Sequence, residues 1–201
     1  MSVTSKDAPR SRLFNVPNQI TTARLCLAIL NFVLMPLRQH LAALIVFLLA
    51  AMTDWVDGYW ARRFGQVTKW GRIWDPFVDK VIVCGMFIFL AAESASGASE
   101  RAAGIAPWMA VIVVARELLV TAVRSFIEQT GGDFSAKTSG KLKMVFQCVA
   151  VSVSLVVLLA GGEAAPAWLR WTLFVTVWLA VLSTIQSGID YVVAAAHCLR
   201  E

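Results

Sequence analysis

The sequence predicts an all-α integral membrane protein: six transmembrane helices preceded by a short interfacial N-terminal helix, both termini cytoplasmic. Three observations predict it. Hydrophobic residues make up 58% of the 201 and charged residues 15%, with a mean hydropathy of +0.68, far from the averages of soluble domains. Uncharged apolar runs recur at about 25–37, 41–53, 81–92, 102–115, 144–162 and 171–189. Several extend through neighbouring polar residues toward the roughly 20 helical residues that cross a hydrocarbon core. Lys and Arg also sort between alternate connections. Lys6, Arg10 and Arg12 precede the first span, Arg62, Arg63, Lys69 and Arg72 lie between the second and third, Lys137, Lys141 and Lys143 between the fourth and fifth, and Arg200 at the end. The other side receives Arg38, Arg101 and Arg170, so the positive-inside rule puts both termini and the junction of spans two and three in the cytoplasm.

In chain order, residues 1–19 read as a cytosolic tail and interfacial segment and 20–201 as one six-helix membrane domain. Met1 to Leu13 carries cations but no apolar stretch of signal length. Asn15-Val-Pro17-Asn18-Gln-Ile-Thr21-Thr22 supplies helix-starting chemistry, with Asn18 or Thr21 as N-cap. Span one runs from about Ile20 to Leu37, with Pro36 near its exit. Span two begins near His40 and continues past Asp54 to about Arg63, and a turn around Gly65 to Gly71 reverses the chain. Span three covers about Arg72 to Ala92 and is followed by a loop of small and polar residues. Span four, about Ala102 to Glu128, holds Arg116 and Glu117 inside apolar sequence. A connector rich in Gly, Ser and Thr leads to spans five and six, about Lys141 to Ala160 and Trp168 to His197. Cys26, Cys84, Cys148 and Cys198 show no paired spacing and read as reduced packing residues. The charge of +5 and pI near 9.3 suit contact with anionic lipid rather than nucleic acid.

The chemistry is concentrated where span two meets span three: Asp54-Trp-Val-Asp57-Gly58-Tyr-Trp-Ala61-Arg62, eight residues, then Gly71-Arg-Ile-Trp-Asp75-Pro-Phe-Val-Asp79. Residues three and four apart share a helix face, so Asp54, Asp57, Gly58 and Ala61 form one stripe and Gly71, Asp75 and Asp79 another. Packing the two helices side by side would gather four carboxylates, which cannot all stay ionised without a counter-charge. Hard oxygen ligands with no His or Cys nearby select magnesium, manganese or calcium. Four carboxylates suit two divalent ions, the usual apparatus for clamping the attacking and leaving oxygens of a phosphoryl centre. Gly58, Ala61 and Gly71 would give a flat group room against the backbone, and Arg62 would contact a phosphate or a base edge.

The run D-x-x-D-G-x-x-A-R-x8-G-x-x-x-D-x-x-x-D resembles the signature of the CDP-alcohol phosphotransferases at every position. The resemblance implies a homodimeric six-helix membrane enzyme that moves a phosphoalcohol from a CDP-alcohol to a second alcohol and releases CMP, using magnesium or manganese. It implies that Asp54, Asp57, Asp75 and Asp79 hold two divalent cations. It further implies that Asp54, Asp57, Gly58, Ala61, Arg62 and Gly71 form the CDP site, and that Asp79 is also the catalytic base. An ordinary aspartate, with a pKa of about 3.9, is a poor base for an alcohol, so Asp79 needs help from a metal or its surroundings.

Three further stretches resemble the bacterial phosphatidylglycerophosphate synthases of that family: Asn15-Val-Pro-Asn-Gln-Ile-Thr with Arg24, Ala115-Arg116-Glu117-Leu-Leu-Val-Thr121 with Arg124, and Gly140-Lys141-Leu-Lys143-Met-Val-Phe-Gln147. The donor so implied is CDP-diacylglycerol, the acceptor glycerol 3-phosphate, and the location the bacterial inner membrane with the site facing the cytoplasm. Arg116, Val120 and Arg124 recur every four residues, placing two guanidiniums roughly 12 Å apart along one face. With Lys141 and Lys143 they form the expected binding group for the acceptor's phosphate, with Glu117 orienting one of the cations. The same Arg124, Lys141 and Lys143 also fit a simpler role as anchors to lipid headgroups. Asp190, embedded in span six, reads as a packing or hydrogen-bonding residue. Other acceptors (inositol phosphate, serine, or phosphatidylglycerol as in a cardiolipin synthase) remain compatible with the sequence. A transporter lined by these acids would place them near the bilayer midplane rather than at helix ends.

Overall fold

The computed structural model describes the backbone of residues 16–64, 69–96, 103–129 and 139–198, and side chains within 19, 21–53, 77–95, 103–127 and 142–196. The described residues form six α-helices and no strand: α1 Val16–Leu34, α2 His40–Phe64, α3 Lys69–Ser96, α4 Pro107–Gln129, α5 Ser139–Leu159 and α6 Ala167–Cys198, with a single 3₁₀ turn, Gly162–Ala164, before α6. Two are long and apolar enough to cross a membrane by length and composition, over Leu142–Leu159 and Ala167–Ala196. Thr21–Leu34 and His40–Thr53 are shorter apolar stretches.

Burial sorts against the pattern of a water-soluble protein. The interior holds Ala28, Phe47, Met86, Leu90, Val113 and Leu155, but also Arg24, Asn31, Arg116, Glu117, Lys143 and Gln147. The outside carries Ile29 and Val33 on α1, Leu41 and Met52 on α2, Val111 and Leu118 on α4, and Ile189 on α6, each about half exposed or more. Such a continuous apolar exterior would drive aggregation in water and is matched by lipid, where polar groups turn inward to find one another.

α5 packs against α6, α2 and α3, α1 against α2 and α3, and α4 against α3 and α6. Close approach is built in at Gly85 on α3, where an added Cβ would overlap the Phe32 ring of α1. Polar contacts tie helices across the apolar interior. The Asn31 amide, oriented to serve both, donates to the Ala43 carbonyl at 3.2 Å and accepts from the Phe47 N–H at 3.1 Å. Gln147 on α5 donates to Thr184 on α6 at 2.9 Å. Trp108 and Trp178 lie 6.0 Å apart, and Trp171 meets Phe174 edge-on at 5.8 Å. This puts aromatic rings where α4 and α6 begin, as expected of an interfacial belt.

The structure shifts two expected boundaries. α1 is continuous from Val16, so Asn18 and Thr21 lie within the helix instead of capping it. The residues ahead of Val16, where a separate short interfacial helix is expected, lie outside the described residues. Pro17 falls in the first turn of α1, where its missing N–H costs nothing. At the other end α1 closes with Gln39 N to Leu34 O at 3.1 Å and Arg38 N to Met35 O at 2.9 Å, Arg38 holding φ 55. This is a Schellman turn with arginine where glycine is usual. α4 starts at Pro107, five residues later than the apolar run suggested, because Gly104 holds φ +68 with Leu173 packed on it.

Candidate active site

The buried charged residues Arg24, Arg116, Glu117 and Lys143 lie in the half of the bundle formed by the starts of α1, α3 and α5 and the ends of α2, α4 and α6. α2 continues unbroken through Asp54, Asp57, Gly58, Ala61 and Arg62, and α3 through Gly71, Asp75 and Asp79. The helical intervals expected for both stripes therefore hold along the backbone. The side chains of all these residues except Asp79, and that of Lys141 on α5, lie outside the described residues.

Asp79 has a specific partner. Arg24, 2% exposed on α1, donates from Nη1 to Asp79 Oδ1 at 2.5 Å, and the Asp79 side chain is 22% exposed. Removing one member of such a pair would leave a charge stranded in the interior, so each residue fixes the other. The carboxylate stays partly open, and its oxygens are the hard donors that magnesium or manganese takes. Among the described residues no group of three or more His, Cys, Asp or Glu is gathered for a metal. Asp79 is the described member of the expected four.

The second group centres on Glu117 of α4. Its Oε1 accepts from Arg116 Nη1 at 3.2 Å and pairs with Lys143 Nζ of α5. All three are almost completely buried. Arg116 is further held by α6: Nη2 donates to Ser187 Oγ at 2.5 Å, and the guanidinium carbon lies 5.4 Å from the centre of the Tyr191 ring, within cation–π range. Lys80, adjacent to Asp79 on α3, donates from Nζ to Thr121 Oγ1 at 2.5 Å, while Thr121 donates to the Glu117 carbonyl at 2.6 Å. Two cations against one carboxylate leave the trio with an excess positive charge, and Lys80 adds to it.

Of the cations singled out from sequence, the structure brings Arg116 and Lys143 together through Glu117. Arg124 is exposed, two turns further along α4. Asp190 is half-buried on α6, and the buried contacts are made by its neighbours Ser187 and Tyr191. Sequence reasoning missed Lys80, Ser187 and Tyr191, and missed the pairing of Arg24 with Asp79. A signal for two of them was present: Thr184, Ser187 and Tyr191 recur at intervals of three and four in an otherwise apolar helix, the same spacing that picked out the aspartates.

A helical membrane bundle that buries Arg24 against Asp79, and Arg116 and Lys143 against Glu117, is equipped to handle charged substrates. The chain belongs to the CDP-alcohol phosphatidyltransferase family, whose model matches residues 14–185. It is a transferase and a membrane protein. Among its relatives, a Bacillus subtilis protein named CDP-diacylglycerol–glycerol-3-phosphate 3-phosphatidyltransferase is 34% identical over 89% of this chain and 94% of its own length. Proteins of the same name from Rickettsia bellii and Escherichia coli K12 are 31% and 30% identical, over 88% and 90% of this chain and 93% and 95% of theirs.

Proposed function

We propose that this protein transfers the phosphatidyl group of CDP-diacylglycerol to glycerol 3-phosphate, giving phosphatidylglycerophosphate and CMP. The observation that carries the reading is that relatives from three bacteria bear this activity in their names and align with about nine-tenths of the chain. The acceptor hydroxyl attacks the phosphorus that bears diacylglycerol, the bond from that phosphorus to CMP breaks, and the hydroxyl proton passes to Asp79. Asp54, Asp57, Asp75 and Asp79 would hold two divalent cations, magnesium or manganese, which neutralise the diphosphate and the charge that develops on departing CMP. Arg24 fixes the orientation of Asp79 and offsets its charge. Asp54, Asp57, Gly58, Ala61, Arg62 and Gly71 receive the CDP moiety. Arg116, Arg124, Lys141 and Lys143 supply positive charge for the acceptor's phosphate.

In this reading residues 1–19 precede a single membrane domain of six spans, with both termini and the site on the cytoplasmic side of the bacterial inner membrane, and two copies pair as a homodimer. The test is CMP release by purified protein given CDP-diacylglycerol and magnesium, with each acceptor offered separately. Release is expected with glycerol 3-phosphate. Release with inositol phosphate or phosphatidylglycerol alone would overturn the acceptor.

A further inference from the structure

Arg116 lies in the middle of an apolar helix and contributes to the wall of a groove of about 570 Å³ between α4 and α6, whose other walls include Ile112, Leu119, Ile185 and Ile189. A guanidinium in such surroundings must be met by polar groups or adopt another position. α6 meets it at three successive points. Gly188 leaves space for the stem, since an added Cβ would stand 3.3 Å from Arg116 Cγ. Ser187, 1% exposed, accepts from Nη2, and the Tyr191 ring, 5% exposed, lies over the guanidinium. Positions 187, 188 and 191 fall on one face of α6. Thr184, one turn earlier on that face, accepts from Gln147 of α5, so the face is locked to α5 as well.

We infer that Ser187 and Tyr191 are positioning residues for the acceptor site: α6 forms a seat that fixes Arg116, and through the shared Glu117 carboxylate fixes Lys143. The inference rests on the proposal that the Arg116 and Lys143 cations receive the acceptor's phosphate. Neither seat residue touches substrate. Nη1 is held by Glu117 and Nη2 by Ser187, so rotation of the guanidinium is stopped from two sides. The ring covers its face and excludes lipid. With the seat lost, Arg116 would turn into the groove and draw Glu117 away from Lys143.

The experiment measures KM separately for glycerol 3-phosphate and CDP-diacylglycerol in Arg116→Ala, Ser187→Ala, Tyr191→Leu and Tyr191→Phe proteins, with thermal midpoints alongside. Ser187→Ala and Tyr191→Leu are expected to raise the acceptor KM by about tenfold to a hundredfold, the cost of a misplaced binding group, with the donor KM within about twofold. Tyr191→Phe keeps the ring face and is expected to restore the acceptor KM. If Arg116→Ala leaves the acceptor KM unchanged, the acceptor reading fails and the seat fails with it. If Arg116→Ala raises it while Ser187→Ala and Tyr191→Leu do not, the acceptor reading stands and the seat is refuted. Should Tyr191→Leu not fold, Ser187→Ala, which removes one hydroxyl, decides alone.

Discussion

Replacing Glu117 with glutamine tests whether the buried trio is one electrostatic unit. Glu117, Arg116 and Lys143 are 6%, 7% and 6% exposed, and the single Glu117 carboxylate accepts from both cations. The change removes the negative charge and keeps the shape, leaving two cations buried against an amide. Deleting one partner of a buried pair costs about 3–5 kcal/mol. The glutamine oxygen still accepts a hydrogen bond, so the lower end applies, about 3 kcal/mol. For a chain of this size that lowers the thermal midpoint by about 6–12 °C. The decisive assay is a cycle in detergent with Glu117→Gln, Lys143→Met and the double variant. Lys143→Met relieves the excess positive charge, so the double variant is expected to lose less than the two single losses combined, by about 1–3 kcal/mol. Losses that add within about 0.5 kcal/mol would refute the coupling.

Asp79→Asn is expected to abolish CMP release while a folded protein is still recovered, and unchanged turnover would remove Asp79 as the base. Chelation with EDTA is expected to stop turnover and added magnesium or manganese to restore it, so activity that survives exhaustive chelation would exclude a divalent requirement. Gly104→Ala, at φ +68 with Leu173 against the would-be Cβ, is expected to cost about 1–3 kcal/mol through overpacking and backbone strain, read as a lowered thermal midpoint. For orientation, a cysteine at Glu163 in a protein cleared of its own cysteines is expected to react with an impermeant maleimide in spheroplasts of intact cells. A cysteine at Asp133 should react only after lysis, and the reverse pattern would invert the proposed topology.

Periodicity and charge made much of this molecule legible before its structure. The helical run through Asp54 to Arg63 could be read because small residues and acids share one interval, and α2 does continue unbroken to Phe64. The start of α4 was misplaced because Ala102 to Ala106 is as apolar as the helix after it, and a single positive φ at Gly104 carries no hydropathy signal. The partner of Arg116 could not be read from local sequence. Ser187 stands 71 residues away, and intervals along one helix do not say which neighbour it faces. Arg24 and Asp79, 55 residues apart, were each picked out for separate reasons, and only the packing of α1 on α3 joins them. The three remaining aspartates rest on the signature and on helix continuity.

α5 touches α2, α3 and α6, which means that the carboxylate-bearing helices and the seat of Arg116 are referenced to one common rod. Neighbouring helix axes stand about 8–10 Å apart, depending on the side chains between them. α5 meets its neighbours through small residues such as Ala150, which is completely buried. In the proposed reading, the spacing between the carboxylates of α2 and α3 and the cations of α4 and α5 is set by helix packing, a dimension that side-chain volume sets and loop length does not. Relatives that take bulkier acceptors would be expected to differ first in the side chains at these helix contacts.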